Sequence, residues 1–134
     1  MKLRHLAGIG GCLLAFYAWG ADWKEFFEGN DGSKMYLETS SRALKNGEAR
    51  VWMYIDFPSQ KADGYGIYRS VRQEILVDCR RRQTASLQVQ VFPEIGMGGA
   101  GGYQWGVSDP VAKTNLRDAP PGSMTEALLQ LTCQ

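Results

Sequence analysis

The sequence predicts an α+β domain, in which an antiparallel, meandering β-sheet of about five to six strands carries one C-terminal α-helix on one face. Three observations predict this class. Apolar and polar residues alternate with a period of two through the middle of the chain, short turn motifs join the alternating segments, and a leucine-rich segment with helical spacing ends the chain. Because no helical segment separates the alternating ones, neighbouring strands should pair antiparallel.

The C-terminal helix is predicted from its start signal and its apolar spacing. Ser123 and Glu126 follow Pro120-Pro121-Gly122 and form a capping box, in which the two side chains satisfy each other's backbone N–H groups. The helix then starts at about Met124, and its apolar face consists of Met124, Ala127, Leu128 and Leu131, widened by Leu129. A helix of roughly ten residues is marginal alone in water, so this helix has to dock on the sheet.

The N-terminus has the pattern of a secretory signal peptide. Lys2 and Arg4 precede an apolar segment over residues 6–17, and the small residue Gly20 suits signal peptidase, which sets the mature start at Ala21. The apolar segment is shorter than the roughly 20 residues that span a bilayer, so no integral membrane segment should remain after cleavage.

We therefore expect a signal peptide over residues 1–20 and a single domain over residues 21–134. An alternative stays open, in which Cys12 is the acylated cysteine of a lipoprotein. The apolar segment before Cys12 is short for that role, and a long apolar segment follows it.

Signal cleavage also changes the chemistry that the chain can perform. It removes the only histidine, His5, and leaves Cys79 and Cys133 as an even pair in a compartment where disulfides persist, so we expect them to be bridged. Without histidine or a free thiol, no Ser-His-Asp or Cys-His arrangement can form, and the usual zinc ligands are missing. The sequence predicts no catalytic residue, metal site or cofactor, and hence no enzyme.

The charge balance excludes one class of partner. Without Lys2 and Arg4, the 15 basic residues become 13, against 14 acidic ones, so the mature chain has a net charge near −1. No global attraction to nucleic acid or to an anionic membrane follows from this balance.

The strands are predicted from alternation and from turn residues. Asn46-Gly47 is a strong two-residue hairpin signal, joining a short strand before Lys45 to a long one. The other segments between strands, 24–33 and 58–66, are polar or rich in glycine and should be loops. The predicted strands are Lys34–Glu38, Glu48–Phe57, Ile67–Cys79 and Ala85–Phe92, besides the short one before Lys45.

The alternation also assigns side chains to the two faces of the sheet. The face on which the helix should pack receives one row from each of three strands: Val51, Met53, Ile55 and Phe57; Val71, Ile75, Val77 and Cys79; and Leu87, Val89 and Val91. The other face of the long strand carries Arg50, Trp52, Tyr54 and Asp56. The alternation places Cys79 on the face that should contact the helix, which is where a disulfide to Cys133 requires it to be.

Three groups of residues are candidates for binding. Trp52 and Tyr54 are either an outward binding surface or a second buried face of the sheet. Arg80, Arg81 and Arg82 are either a positive patch for an acidic partner or a solvated turn. The segment 96–102 contains the glycine spacing of dinucleotide-binding loops, but no strand and helix flank it, so we interpret it as a loop between strands.

Short markers along the mature chain resemble the surface-adhesin protein E family of Gram-negative bacteria. The markers are Trp23, Met35-Tyr36 with Glu38, Val51-Trp52, Tyr68-Arg69-Ser70, Asp78-Cys79, Trp105, Pro120-Pro121-Gly122-Ser123 and the terminal Cys133. The resemblance implies an antiparallel sheet with a disulfide-tethered C-terminal helix, a location in the cell envelope, and attachment to host extracellular-matrix proteins. It transfers no short ligand motif to this chain.

Two functional hypotheses of different class follow. In one, the exported protein is a surface adhesin with a host matrix protein as its partner. In the other, it is a periplasmic, non-enzymatic domain of the same fold, with a structural or binding role inside the envelope. In both, the expected contact surface is the exposed sheet face, with Trp52 and Tyr54 supplying contact area and the three arginines at 80–82 supplying attraction.

Overall fold

The computed structural model describes residues 22–40 and 44–134. The predicted signal peptide over residues 1–20, its cleavage near Gly20 and the alternative of a lipidated Cys12 lie outside the described residues. They remain predictions from the sequence.

The described part of the chain forms one seven-stranded antiparallel sheet with a C-terminal helix. The first six strands pair in chain order, and the seventh pairs with the fifth. The strands are β1 (Trp23–Glu28), β2 (Lys34–Glu38), β3 (Glu48–Asp63), β4 (Gly66–Asp78), β5 (Gln83–Phe92), β6 (Gln104–Gly106) and β7 (Arg117–Asp118). A 3₁₀ turn spans Ile95–Met97, and the two α-helices are α1 (Asp109–Lys113) and α2 (Met124–Thr132). The predicted α+β meander is confirmed, with more strands than the five to six expected.

Helix α2 packs on one face of the sheet, as predicted. Leu128 and Leu129 are 0% and 1% exposed, and they share a core with Val51, Met53 and Val77. The buried stripe is centred on these two leucines and Thr132, while Met124 and Leu131 lie at its margin. Burying two leucine side chains contributes roughly 3–6 kcal/mol, which is enough to dock so short a helix.

Both ends of α2 are fixed by contacts that the sequence predicted. At the start, Ser123 Oγ accepts a hydrogen bond from the Glu126 N–H at 3.2 Å. The Glu126 carboxylate accepts from the Gly122 N–H at 3.1 Å, so it reaches one residue further back than a capping box requires. At the other end, Cys133 forms a disulfide with Cys79, which lies just after β4, and the predicted pairing is confirmed.

The short helix α1, between β6 and β7, was not predicted, and the expectation of a single helix is wrong in this respect. Its five residues are too few for a periodic apolar pattern, and its only local signals are Ser108 at the N-cap and a proline in the first turn. Arg50 pairs with Asp109, and Lys113 pairs with Glu48 at 3.2 Å. These ion pairs hold α1 on the sheet face opposite α2, over a small second core of Leu76, Ala85, Leu87 and Ala112.

The loop expected over residues 24–33 is half wrong, because β1 occupies its first part. A β-bulge between Glu25 and Phe27 interrupts the pairing of β1 with β2, so the alternation of period two is lost from the sequence. As an edge strand, β1 also carries charged residues such as Lys24, which protect its open edge but mask a strand pattern.

The loop expected over residues 58–66 is wrong as well, because β3 continues to Asp63. The register of β3 against β4 shifts between Asp56 and Lys61, and Pro58 lies in this irregular part. Proline has no N–H group, and here the regular pairing of the strands does not require one. The Arg69 guanidinium donates to the carbonyl groups of Phe57 and Pro58 at 3.1 to 3.3 Å. These carbonyl groups lie where the register shift interrupts the pairing of β3 with β4. The hairpin turns at Gly64-Tyr65.

The predicted parity fails for the first half of β5, up to Leu87. Glu74 pairs with Gln88 and Ile75 pairs with Ser86, so Leu87 is the extra residue of a bulge. Leu87 therefore lies in the second core under α1, while Val91 lies in the main core. The prediction that both belong to one inward row is wrong for Leu87.

The turn at Asn46-Gly47 is confirmed. Both residues have positive φ, 56° and 76°, as a two-residue hairpin with matching twist requires. A single bridge between Lys45 and Glu48 closes the turn, and the predicted short strand before Lys45 is limited to this bridge within the described residues. Residues 41–43 lie outside them.

Candidate binding surface

The sheet face opposite α2 carries a strip of aromatic side chains around one arginine, which we call the aromatic face. It consists of Trp23, Tyr36, Trp52, Tyr54, Arg72 and Phe92. Tyr36 pairs with Tyr54 across β2 and β3, and Tyr54 pairs with Arg72 across β3 and β4. Because directly paired residues point to the same side, these side chains form a continuous row across the sheet.

The aromatic rings of this face are in mutual contact. The rings of Tyr36 and Tyr54 stack, with centroids 4.5 Å apart and planes 14° apart. The ring of Trp23 meets Tyr54 edge-on, at 5.0 Å and 79°. Such pairs contribute about 0.5–1.5 kcal/mol each beyond their buried area, so the rings hold one another in place.

Arg72 is the charged member of the aromatic face. Its guanidinium carbon lies 5.1 Å from the ring centroid of Trp52 and 5.7 Å from that of Phe92. One of its terminal nitrogens donates to Gln90 Oε1 at 2.8 Å, while its Nε is buried and has no hydrogen-bond acceptor among the described residues. The two rings compensate this buried donor by cation–π attraction, which fixes the guanidinium beside them.

Two elements border the aromatic face along the strands. Helix α1 covers the row that contains Arg50, at one end. At the other end, the Gly96 N–H donates to Asp56 Oδ1 at 2.7 Å, and the Met97 N–H donates to Ser70 Oγ at 3.0 Å, which holds the 3₁₀ turn over the sheet. At 3.3 Å per residue, the strip between Arg50 and Asp56 is about 20 Å long, including both borders.

The tyrosines of this face are neutral over the physiological pH range. Burial raises the pKa of Tyr54 to about 12, and the nearby carboxylate of Asp56 and the hydroxyl of Tyr36 act in the same direction. Burial also raises the pKa of Tyr36, with Asp56 again contributing. The aromatic rings around Arg72 are therefore uncharged. The carboxylates of Glu25 and Glu74 lie on the same side of the sheet, paired with Tyr36 and Trp52.

The structure separates the two groups of candidate residues that the sequence proposed. Trp52 and Tyr54 belong to the aromatic face and are half-buried. Arg80, Arg81 and Arg82 are exposed in the turn between β4 and β5, where the Arg81 N–H donates to Asp78 Oδ1 at 3.0 Å.

Trp52 pairs with Glu74, four residues before Asp78, so this turn begins about 13 Å further along the strand. Helix α1, held by Glu48 and Arg50, lies over the rows in between. The structure therefore does not bring the arginine turn and the two aromatic residues together.

Four members of the aromatic face were missed as binding candidates from the sequence, namely Trp23, Tyr36, Arg72 and Phe92. The parity signal for Arg72 was available, because it is the neighbour of the inward Val71 and had to point outward. Its position beside Tyr54 depends on the strand register, which the irregularity between Asp56 and Lys61 sets and a single sequence does not contain.

The described residues contain no helix that is both long and apolar enough to cross a membrane. Over the same part of the chain, no three histidine, cysteine, aspartate or glutamate side chains converge in an arrangement that could hold a metal ion.

Comparison with known proteins finds a matching family and similar solved structures. The family model described as surface-adhesin protein E matches residues 23–134. Solved structures of Haemophilus influenzae protein E are similar: one has a TM-score of 0.57 at 11% identity, with 83% of each chain covered. Its crystal form II has a TM-score of 0.58 at 11% identity, with 83% of this chain and 86% of that chain covered. At this identity the likeness concerns the fold alone. No curated protein matches the chain in sequence.

Proposed function

Because this chain belongs to the surface-adhesin protein E family, we propose that it is an exported, non-enzymatic binding protein of the cell envelope that attaches to a host extracellular-matrix protein. The contact surface in this proposal is the aromatic face. One observation carries the proposal: tryptophan, tyrosine and arginine side chains from neighbouring strands form one contiguous strip between α1 and the 3₁₀ turn.

The composition of the strip supports this role. Tryptophan, tyrosine and arginine are the residue types that dominate the binding energy of protein interfaces. The mutual contacts of Tyr36, Tyr54 and Trp23 already restrict their rotamers, and Arg72 is held by two rings and by Gln90. Little further side-chain entropy is lost on binding, so more of the contact energy appears as affinity.

The arginine turn at residues 80–82 has a supporting part in the proposal. Its side chains are exposed on a chain whose net charge is close to zero, so it forms a local region of positive potential. Its distance from the aromatic face exceeds a Debye length of about 8 Å at physiological ionic strength. We therefore assign it to the attraction of an acidic partner during approach, rather than to the same contact as Trp52.

Surface plasmon resonance with immobilised laminin and vitronectin tests the proposal. We expect wild-type binding at micromolar concentrations, and at least tenfold weaker binding for Trp52→Ala and Tyr54→Ala, since truncated hot-spot residues cost about 2 kcal/mol or more. Tyr65→Ala is the matched control, because it removes an exposed aromatic ring in the turn between β3 and β4, outside the aromatic face. Circular dichroism establishes that each variant is folded.

Two results would contradict the proposal. One is the absence of wild-type binding to both matrix proteins, and the other is binding that Trp52→Ala and Tyr54→Ala leave unchanged. Replacing Arg80, Arg81 and Arg82 by glutamine should slow association more than it speeds dissociation, with the difference disappearing at high salt. A triple variant with wild-type kinetics at low salt removes the arginine turn from the proposal.

The second candidate function is a role inside the periplasm. It is favoured by the N-terminal sequence, in which Cys12 has an apolar segment that is short for a lipoprotein signal. Protease treatment of intact cells that express the full-length precursor separates the two candidates. Degradation in intact cells supports the surface adhesin, whereas degradation only after the outer membrane is permeabilised supports the periplasmic role.

A further inference from the structure

A cavity of about 660 Å³ lies at the outer edge of β5, away from the aromatic face. The chain pairs with β5 up to Gly106, leaves this edge to form α1, and returns to it at Arg117. The cavity occupies the gap between the two paired segments and is bounded by the end of α1 and the first turn of α2. Its volume lies within the range of small-molecule sites, about 300–1,000 Å³.

Trp105 forms one wall of this cavity and is 41% exposed. It pairs with Val89, on the opposite side of the sheet from the aromatic face, and neither hydrophobic core includes it. Part of this residue is therefore open to solvent and to a ligand in the cavity. Its indole gives the cavity one flat, apolar wall.

The rest of the lining is rich in groups that donate and accept hydrogen bonds. The lining also includes Asn115, Arg117 and Asp118, and hydroxyl groups come from Thr84, Ser86 and Thr125. The Gln83 side chain donates to Asp118 Oδ1 at 2.9 Å, which fixes the direction of that carboxylate. Arg117 and Asp118 contribute opposite charges, so the lining has no net charge and favours an uncharged ligand.

We infer that this cavity is a binding site for a neutral saccharide. A pyranose ring has an apolar C–H face, which is attracted to the negative face of an indole, and a rim of hydroxyl groups that both donate and accept hydrogen bonds. The cavity lining offers both complements, with Trp105 for the C–H face and the polar residues at 115, 117 and 118 for the rim. This site goes beyond the proposed contact with a matrix protein and does not depend on it.

A peptide strand fits this site less well. The stretch of β5 between its partners runs only from Ala85 to Leu87, about 10 Å of strand. The Leu87 carbonyl already accepts a hydrogen bond from the Val107 N–H at 2.8 Å. Too few backbone groups remain for an added strand to be held by main-chain hydrogen bonds.

The indole N–H signals in the nitrogen–proton correlation spectrum of the mature protein, residues 21–134, test this inference. The probes are di-N-acetylchitobiose, for the amino-sugar backbone of bacterial cell walls, and N-acetyllactosamine, for the outer sugars of host glycans. We expect a saturable shift of the Trp105 signal at millimolar concentration of one of them, with the signals of Trp23 and Trp52 unchanged. The probe that binds identifies the source of the saccharide.

Variants separate recognition from folding. Trp105→Ala should weaken saccharide binding at least tenfold, measured by saturation-transfer difference, whereas Trp105→Phe keeps a ring and should retain part of the affinity. Arg117→Gln with Asp118→Asn should weaken binding several-fold at unchanged circular dichroism. Trp52→Phe is the control and should bind as the wild type does. Absence of a Trp105 shift with both probes, or equal binding by wild type and Trp105→Ala, overturns the inference.

Discussion

Removal of the disulfide between Cys79 and Cys133 should destabilise the protein by about 4 kcal/mol. The perturbation is the double replacement of both cysteines by serine. The bridge closes a loop with a sequence separation of 54 residues, and the chain-entropy relation gives about 4 kcal/mol for a loop of that length. Total stabilities of small domains are about 5–15 kcal/mol, so the loss is a large share of the total.

The structure adds a local expectation to this global one. Cys133 is the C-cap of α2, and the other sulfur lies directly after β4, so the bridge ties the end of the helix to the sheet that buries Leu128 and Leu129. Without the bridge, α2 is held by its apolar contacts and its N-cap alone. We expect α2 to become the least protected element of the variant in hydrogen exchange.

Thermal and urea unfolding, followed by circular dichroism, measure the effect. The expected fall in melting temperature is about 15–20 °C, from the usual relation between stability and melting temperature for a domain of this size. The matched control is the wild type with a reductant, which should unfold like the double variant. The reductant should not change the stability of the double variant itself. A loss below about 1 kcal/mol would refute the reasoning, because α2 would then be held by packing rather than by the bridge.

Three further changes test the contacts that shape the fold. Ser123→Ala should cost about 1 kcal/mol in urea unfolding through the lost N-cap, and an unchanged midpoint would mean that the cap contributes nothing. Ser70→Ala should cost about 1–3 kcal/mol and raise the exchange rate of the Met97 amide, which donates to the Ser70 hydroxyl; unchanged exchange argues against this anchor. Burial raises the pKa of Tyr54 and of Tyr68 to about 12, above the ordinary value near 10. The folded state thus holds these protons more tightly, so their stabilisation is complete below about pH 10 and lost as the pH rises towards 12. Replacing either tyrosine by phenylalanine should make the free energy of unfolding fall less steeply between about pH 10 and 12. Variants whose free energy of unfolding falls as steeply as that of the wild type would contradict this prediction.

The elements that the sequence predicted well are those with an undisturbed local pattern. β2 has the predicted bounds, the turn at Asn46-Gly47 has the predicted conformation, and β4 differs from the prediction by one residue at each end. The pairing of Cys79 with Cys133 followed from counting cysteines after export and from strand parity. In each case the information lies within a few residues or in one pairwise constraint.

The elements that were missed depend on contacts distant in the sequence. The bulge at Leu87 reverses the parity of the first half of β5, and the ion pairs that hold α1 join residues 59 and 65 positions apart. The aromatic face was predicted only in part for the same reason, since Trp52 and Tyr54 have a local signal, while the approach of Arg72 requires the register of β3 against β4. Register follows from the packing of the whole sheet.

The residues that carried the family resemblance include several that hold the fold. Tyr68, Arg69 and Ser70 are consecutive and contact three different segments. The Tyr68 hydroxyl donates to Asp63 at 2.6 Å, which helps to lower the pKa of that carboxyl. Arg69 binds carbonyl groups of the irregular part of β3, and Ser70 anchors the 3₁₀ turn. Because these residues stabilise the fold, a resemblance that rests on them indicates a shared architecture more directly than a shared ligand.

The most direct test of the central claim is the response of the indole N–H signals of Trp23, Trp52 and Trp105 when a soluble, non-glycosylated fragment of laminin or vitronectin is added. These three tryptophans lie in the described chain, two on the aromatic face and one on the outer edge of the sheet. The account predicts that the signals of Trp23 and Trp52 shift or broaden while that of Trp105 stays unchanged. A spectrum in which only Trp105 responds, or in which no signal responds, would contradict it.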